Sequence, residues 1–143
     1  MLATDRSLRL LSEPYPEAYN GGLLPLALDL ANRLLPALDT SSGIPFGSIN
    51  LRKGVSPTES PITCTAAAGT LILEFGTLSR LTGDFRFERA AHRAALSLWS
   101  RRSGIDLLGA HLSLRTGAWT QADAGIGRGI DRSEDSAAHA PNA

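Results

Sequence analysis

One carboxylate in this sequence lies in a setting that suits acid catalysis. Between Ala66 and Leu81 the only charged residues are Glu74 and Arg80. At helical spacing, the neighbours of Glu74 on its own face carry no positive charge: Ala67, Thr70, Leu71, Leu78 and Leu81. Loss of hydration favours the neutral form of a carboxyl, and glycoside hydrolysis requires a protonated carboxylic acid as its general acid. The residues alone leave a second interpretation open, in which Glu74 is structural and pairs with an Arg or Lys of another element.

The other candidates for chemistry are weaker. The histidines His92, His111 and His139 are scattered, without the short spacing that a metal site needs. His92 falls at the edge of a polar helix face and His111 on a predicted strand, and both are expected at the surface. The glycine-rich run GIGRG at 125–129 lacks the Lys-Ser/Thr ending of a phosphate-binding loop. We therefore predict Glu74 as the one catalytic candidate, with no cofactor-binding or metal-binding residue in this chain.

Glu74 falls within a helix that is predicted to run from Thr65 to Thr82. Thr63 or Thr65 is expected to cap its start, and Gly83 is expected to end it. The helix is apolar around its whole circumference, which is typical of an inner helix that other elements cover on most sides. The elements that cover such an inner helix would exclude water from the Glu74 carboxylate.

An outer helix is predicted directly afterwards, across a four-residue turn around Thr82–Phe85. Asp84 can cap this helix, and Gly104 is expected to stop it. One apolar stripe runs along it, formed by Phe87, Ala91, Ala94 and Leu98 and widened by Ala90, Ala95 and Trp99. An inner helix followed by an outer amphipathic helix is the repeating unit of an α/α barrel, although one pair cannot close a barrel.

The flanking segments complete the predicted organisation. Residues 1–20 are an irregular lead-in, and a helix over Leu23–Leu38 is expected to end or kink at Pro36. Residues 39 to about 62 are rich in Gly and Pro and form a long loop, either functional or a plain connector. A short β-hairpin is predicted over Leu107–Thr120, with its turn at 115–117. The sequence from Gly125 onwards is polar and has no hydrophobic periodicity, which favours disorder.

Composition and charge exclude several classes of protein. Hydrophobic residues make up 43% of the chain and charged residues 20%, as in globular proteins. Fourteen basic residues balance fourteen acidic ones, so the basic excess of a nucleic-acid-binding surface is missing. The sequence contains no run of about 18 apolar residues, the length that is needed to cross a membrane. The N-terminus lacks the features of a signal peptide.

Cys64 is the single cysteine and can form no disulfide within the chain. Two interpretations of Cys64 stay open. In a secretory protein it would pair with a cysteine elsewhere or remain free, and otherwise it is a small buried residue at the start of a helix.

Four segments of the sequence carry a resemblance to a known family. They lie in order between Leu23 and Asp131 and read LLPLALDLANRLLPALDTSSGIPFGSINLRKGV, TCTAAAGTLILEFGTLSRLTGD, FERAAHRAALSLWSRRS and LLGAHLSLRTGAWTQADAGIG. They closely resemble glycoside hydrolase family 47, the class I α1,2-mannosidases, and within it the branch of endoplasmic reticulum degradation-enhancing α-mannosidase-like proteins. Glu74, in the string Leu73-Glu74-Phe75, is similar to the catalytic acid of the family's LEF motif.

The resemblance has implications for fold and function. It implies an all-α fold, part of an (α/α)7 barrel with a short β-hairpin, in which residues 1–20 are a lead-in, 21–131 a partial barrel and 132–143 a divergent, disordered tail. It implies inverting removal of α1,2-linked mannose from high-mannose N-glycans, which in this branch marks misfolded glycoproteins for degradation. It also implies a calcium ion whose ligands lie outside this chain, and a location in the endoplasmic reticulum lumen or at its membrane.

The sequence departs from the family's pattern at both ends. Early barrel helices are missing before it. After Asp131 the family's Tyr-rich helix is replaced by Arg-Ser-Glu-Asp, which looks like a changed reading frame, a retained intron or a truncated gene model. We therefore expect a fragment that is inactive by itself. Two other interpretations stay open, a noncatalytic glycan-binding or escort protein on the same fold and an inactive truncated product.

Overall fold

The computed structural model describes residues 21–123, so the lead-in 1–20 and the tail 132–143 lie outside the described residues. Within that range the chain is mainly helical, with a small antiparallel sheet. In chain order the elements are α1 (Leu23–Leu34), a 3₁₀ helix (Leu35–Leu38), β1 (Ile62–Cys64), α2 (Thr65–Gly69), α3 (Leu71–Thr82), α4 (Arg86–Trp99), β2 (His111–Ser113) and β3 (Trp119–Gln121). The predicted helical fold is confirmed.

Helices α3 and α4 form the expected antiparallel pair. Gly83 closes α3 in the left-handed region, with φ of 76°, and its N–H donates to the carbonyl of Ser79 at 2.8 Å. The rings of Phe75 and Phe87 meet edge to face with centroids 5.5 Å apart. The predicted stripe of α4 is the buried one: Phe87, Ala91, Ala94 and Leu98.

The two ends of α4 differ in how well they were predicted. The N-cap of α4 is Phe85, one residue after the predicted cap, although Oδ1 of Asp84 accepts from the N–H of Arg86 at 3.1 Å. The predicted end at Gly104 is wrong, because α4 stops at Trp99. There the chain turns away and the carbonyl of Arg101 accepts the indole N–H of Trp119 at 3.0 Å. With 14 residues α4 is the longest described helix, and no helix within 21–123 is long and apolar enough to span a membrane.

Pro36 acts on the first helix as predicted. It has no N–H for the helical ladder, and α1 ends at Leu34 and continues as the 3₁₀ helix. The inward face packs against α3 and α4 in one apolar cluster, whose buried members are Ala27, Ala31, Leu38, Phe75, Leu78, Phe87, Ala91 and Ala94. Leu30, which follows the buried Ala27 at a spacing of three residues, is exposed.

The predicted helix from Thr65 to Thr82 is broken into α2 and α3 at Thr70. Gly69 is a weak helix former, and the hydroxyl of Thr70 bonds back to the carbonyl of Ala66 at 2.9 Å. Thr70 keeps right-handed helical dihedrals, so α3 continues closely from α2. The predicted cap, Thr63 or Thr65, is also wrong. The cap is Cys64, whose Sγ accepts from the N–H of Ala67 at 3.3 Å.

The hairpin is confirmed, and it belongs to a three-stranded sheet of order β1-β2-β3. The N–H of Gly117 bonds to the carbonyl of Ser113 at 2.8 Å and forms the predicted turn. The unpredicted strand β1 pairs with β2 in antiparallel register, with Cys64 opposite His111. A second apolar cluster lies under the sheet and contains Ile44, Ala68, Leu98 and Leu112.

The loop after the 3₁₀ helix is fastened to α4 near its beginning. The guanidinium of Arg93 donates to the carbonyls of Thr40 and Ser41 at 3.1 and 2.8 Å. Gly43 has φ of 78°, and a Cβ there would lie 2.7 Å from Cγ of Arg93, so only glycine fits. Since Ile44 is buried directly afterwards, this first part of the loop is a packed connector.

Candidate active site

Glu74 lies in the first turn of α3, beside a groove of about 150 Å³ between α1 and α3. The groove is apolar apart from this carboxylate. Its lining consists of Ala27, Leu30, Ala31 and Leu34 from α1 and of Leu71, Glu74, Phe75 and Leu78 from α3. The structure thus places Glu74 on an apolar surface, as the spacing predicted, with one wall supplied by α1.

The carboxylate has no cationic partner within residues 21–123. The ion pairs of the described residues join Arg33 to Asp29, Arg86 to Asp84 and Arg102 to Asp106, and Glu74 takes part in none of them. The structural alternative, in which an Arg or Lys of another element pairs with Glu74, therefore finds no support within this part of the chain.

The expected burial of Glu74 is not present in residues 21–123, where its side chain is exposed. Phe75 and Leu78, which line the same groove, are buried by packing, whereas the side chain of Glu74 remains open to solvent. Desolvation of the carboxyl would need a further element over the groove. The role of Glu74 as a protonated acid stays a prediction.

Contacts with α4 fix the second half of α3. The hydroxyl of Ser79, fully buried, accepts from the N–H of Glu88 at 2.9 Å. This bond satisfies a free amide in the first turn of α4 and ties it to α3 one turn beyond Glu74. At the same helix start, hydrogen bonds from the Arg86 guanidinium lower the pKa of Asp84. In α1, the guanidinium of Arg33 likewise lowers the pKa of Asp29.

Contacts with the sheet region hold the start of α2, which lies on the N-terminal side of Glu74. The hydroxyl of Thr65 donates to the carbonyl of Gly109 at 2.5 Å, and its N–H donates to the carbonyl of Ala110 at 2.9 Å. Cys64 is free, buried and engaged as the helix cap. These contacts agree with the helix-start interpretation of Cys64, and they give a disulfide partner no support.

The two described histidines do not join Glu74. His92 is exposed on α4, as predicted. His111 is half-buried on β2, with Nδ1 2.8 Å from the side-chain oxygen of Gln121. His139 and the run GIGRG lie outside the described residues. Within 21–123 no three His, Cys, Asp or Glu side chains are grouped so as to hold a metal ion.

Sequence reasoning missed the residues that connect the Glu74 helix to the sheet. Thr65 and Gly109 are 44 positions apart, and nothing in their local pattern indicates that they meet. The one available signal was Gly109 within a predicted strand, because a glycine there often marks close approach of another group. In the structure a Cβ at this position would lie 2.7 Å from the ring of Trp119.

Comparison with known proteins gives consistent matches along this chain. The model of glycosyl hydrolase family 47 matches residues 4–133. Alpha-mannosidase I MNS4 of Arabidopsis thaliana is 60% identical over 114 residues, which are 80% of this chain and 18% of the relative. The human ER degradation-enhancing alpha-mannosidase-like protein 2 is 52% identical over 112 residues, which are 78% of this chain and 19% of the relative.

A solved structure shares the fold. The alpha-1,2-mannosidase from Trichoderma reesei superimposes with a TM-score of 0.63 at 28% identity, over 77% of this chain and 24% of that chain. The chain thus spans about a fifth of the length of the curated relatives that it matches.

Proposed function

The chain belongs to glycosyl hydrolase family 47, and from this premise we propose that it forms part of an α1,2-mannosidase that trims mannose from N-glycans of misfolded glycoproteins, for endoplasmic reticulum-associated degradation. Two kinds of relative support the proposal, the α-mannosidases and the ER degradation-enhancing α-mannosidase-like proteins. Their names also support a location in the endoplasmic reticulum. The observation that carries the catalytic part is Glu74, a carboxylate beside an apolar groove and without an ionic partner in residues 21–123.

Glu74 has the role of general acid in this proposal. In inverting hydrolysis one carboxylic acid protonates the glycosidic oxygen that leaves, while a second carboxylate removes a proton from the attacking water on the opposite face of the sugar. The apolar lining of the groove suits the donor, because once water is excluded it favours the neutral acid. The described residues provide no second carboxylate beside Glu74, so we assign the base to a part of the complete enzyme outside 21–123.

Calcium enters the proposal only through the family resemblance. Since residues 21–123 hold no cluster of metal ligands, no step of the reaction is assigned to the ion. The catalytic acid and its groove are this segment's contribution. A chain of this extent, without the base, is proposed to be inactive by itself.

A chimera tests the proposal directly. Residues 21–123 replace the corresponding segment of the Arabidopsis relative, and mannose release from a high-mannose N-glycan is measured together with glycan affinity. Glu74→Gln keeps the shape of the side chain but has no proton to donate. We expect it to lower turnover by about 10²- to 10⁴-fold and to leave glycan affinity unchanged. The isolated chain, with or without calcium, is expected to release no mannose.

Glu88→Gln is the matched control. Glu88 is also the acidic residue in the first turn of its helix, so its replacement removes an equivalent charge from α4, and turnover should stay close to that of the unsubstituted chimera. Full turnover of Glu74→Gln would exclude Glu74 as the acid. A chimera that binds glycan tightly but releases no mannose would instead favour the noncatalytic glycan-binding interpretation.

A further inference from the structure

We propose that Thr65 is a positioning residue for Glu74, which it holds in place by fastening the start of the continuous helical segment α2–α3 to the two residues that directly precede β2. The inference rests on the proposed role of Glu74. Thr65 itself would not touch substrate.

Thr65 makes two bonds to consecutive carbonyls. Its N–H donates to Ala110 at 2.9 Å and its hydroxyl to Gly109 at 2.5 Å, and the residue is only 8% exposed. These two bonds add to the pairing of β1 with β2, which ends at Cys64 directly before Thr65. Together they hold the start of α2 at two successive peptide groups.

The carbonyls that accept these bonds lie directly before β2, in a segment that further contacts hold in place. A Cβ on Gly109 would lie 2.7 Å from the Trp119 ring and 2.7 Å from the carbonyl of Gln121. The N–H of Ala110 donates to that same carbonyl at 2.9 Å. The indole N–H of Trp119 bonds to the carbonyl of Arg101 at 3.0 Å and ties the sheet to the end of α4. Gly109 and Ala110, whose carbonyls accept the bonds from Thr65, therefore have little freedom to shift.

Helices α2 and α3 connect Thr65 to Glu74 through a continuous helical segment. The break at Thr70 keeps right-handed helical dihedrals, and Ala68 is fully buried against Leu98 and Leu112. Nine residues of helical rise, about 14 Å, separate Thr65 from Glu74. At the far end the bond between Ser79 and Glu88 holds the segment. Glu74 lies between two fixed points, of which Thr65 is the one on the sheet.

The Thr65 hydroxyl is not needed for the usual structural tasks at a helix start. Cys64 Sγ caps α2, and backbone pairing sets the register between β1 and β2. What the hydroxyl adds is a bond from the helix to the sheet. This difference makes its contribution to placement separable from its contribution to folding.

The test uses Thr65→Val in the chimera, which keeps the side-chain shape and removes the donor. Small displacements of a reacting group are costly, so we expect kcat to fall by about tenfold with KM unchanged. Thr65→Ser should restore kcat, since it keeps the hydroxyl. Thr63→Val is the matched control: Thr63 is also buried, but its hydroxyl has no partner within the described residues, and kcat should not change.

A double variant separates placement from general weakening. If Thr65 acts through Glu74, adding Thr65→Val to Glu74→Gln lowers kcat no further than Glu74→Gln does alone. If kcat of Thr65→Val equals that of the unsubstituted chimera while Glu74→Gln abolishes turnover, the positioning role is wrong and the proposed function stands. Additive losses in the double variant also overturn it. Full turnover of Glu74→Gln removes both proposals.

Should Thr65→Val fail to fold, Trp119→Phe replaces it in the same cycle. Phenylalanine keeps an aromatic ring over Gly109 and lacks the N–H that reaches Arg101. A smaller loss of kcat that disappears in the Glu74→Gln background supports the positioning role. An unchanged kcat overturns it.

Discussion

Helices α3 and α4 are of similar length and pack on each other, yet they use their apolar residues differently. In α4 the four central residues of the apolar stripe, Phe87, Ala91, Ala94 and Leu98, are buried, whereas Trp99, which was expected to widen it, is 52% exposed. In α3 the apolar residues continue around the helix, and Leu73, next to Glu74, is 69% exposed. The sequence pattern of α4 predicts one buried face, and packing within residues 21–123 buries the centre of that face. The sequence pattern of α3 predicts burial on more sides than these residues provide, and the side left exposed is the one beside Glu74.

The largest expected effect comes from a pair of truncations in the two helices. Phe87→Ala should lower the free energy of unfolding by about 3–5 kcal/mol in both the isolated chain and the chimera, because the cavity forms inside contacts that both contain. Leu73→Ala should change it by less than about 0.5 kcal/mol in the isolated chain, but by about 2–5 kcal/mol in the chimera. Urea unfolding followed by circular dichroism measures both. An equally small effect of Leu73→Ala in the chimera would mean that nothing covers this side of α3.

A smaller effect is expected where the α2–α3 segment leaves the sheet. Thr63 is buried and its hydroxyl has no partner among the described residues, whereas the Thr65 hydroxyl is bonded. Thr63→Val should raise the free energy of unfolding by about 1 kcal/mol, since an unpaired buried polar group is removed, and Thr65→Val should lower it by about 1–3 kcal/mol. Thermal unfolding of the two variants side by side measures the contrast. A loss of stability in Thr63→Val would show that its hydroxyl has a partner in the folded protein.

The smallest effect concerns the starts of the two helices. Before the start of α4 lies Asp84, whose pKa is held below its usual 3.8 by hydrogen bonds from Arg86, while the cap of α2 is Cys64. The contribution of Asp84 is therefore complete above its unfolded pKa and is lost as pH falls through the lowered folded pKa. The melting temperature of the wild-type chain should exceed that of Asp84→Asn by a constant margin above about pH 5 and by less below it. A constant margin down to pH 2 would contradict this assignment.

Local pattern was enough to predict the helix pair and to select Glu74 as the candidate for the site. The stripe of α4, the end of α3 at Gly83 and the kink at Pro36 each depend on neighbours within a few residues. Glu74 was found because one charge interrupts an apolar helix, and its apolar surroundings within the groove agree with that pattern. These features can be predicted from short stretches of the sequence because they depend on residues that are close along the chain.

The remaining features depend on contacts that are distant in sequence. Strand β1 has three residues, and only its pairing with β2 distinguishes it from the start of a helix. The role of Cys64 as cap follows from the competing engagement of Thr65 with the sheet. The exposure of Glu74 depends on which elements surround α3, and spacing along the helix carries no information about that.

The pairing of Cys64 with His111 also has a consequence for the order of folding. Helices α3 and α4 contact each other across a short turn, whereas the β1–β2 ladder closes a loop of nearly fifty residues. Because loop closure costs entropy before distant contacts repay it, the helix pair can assemble early and the ladder only afterwards. The orientation of the Glu74 helix is then among the last features to be acquired. A slowly closing ladder would delay the appearance of competent sites well beyond the return of helical structure.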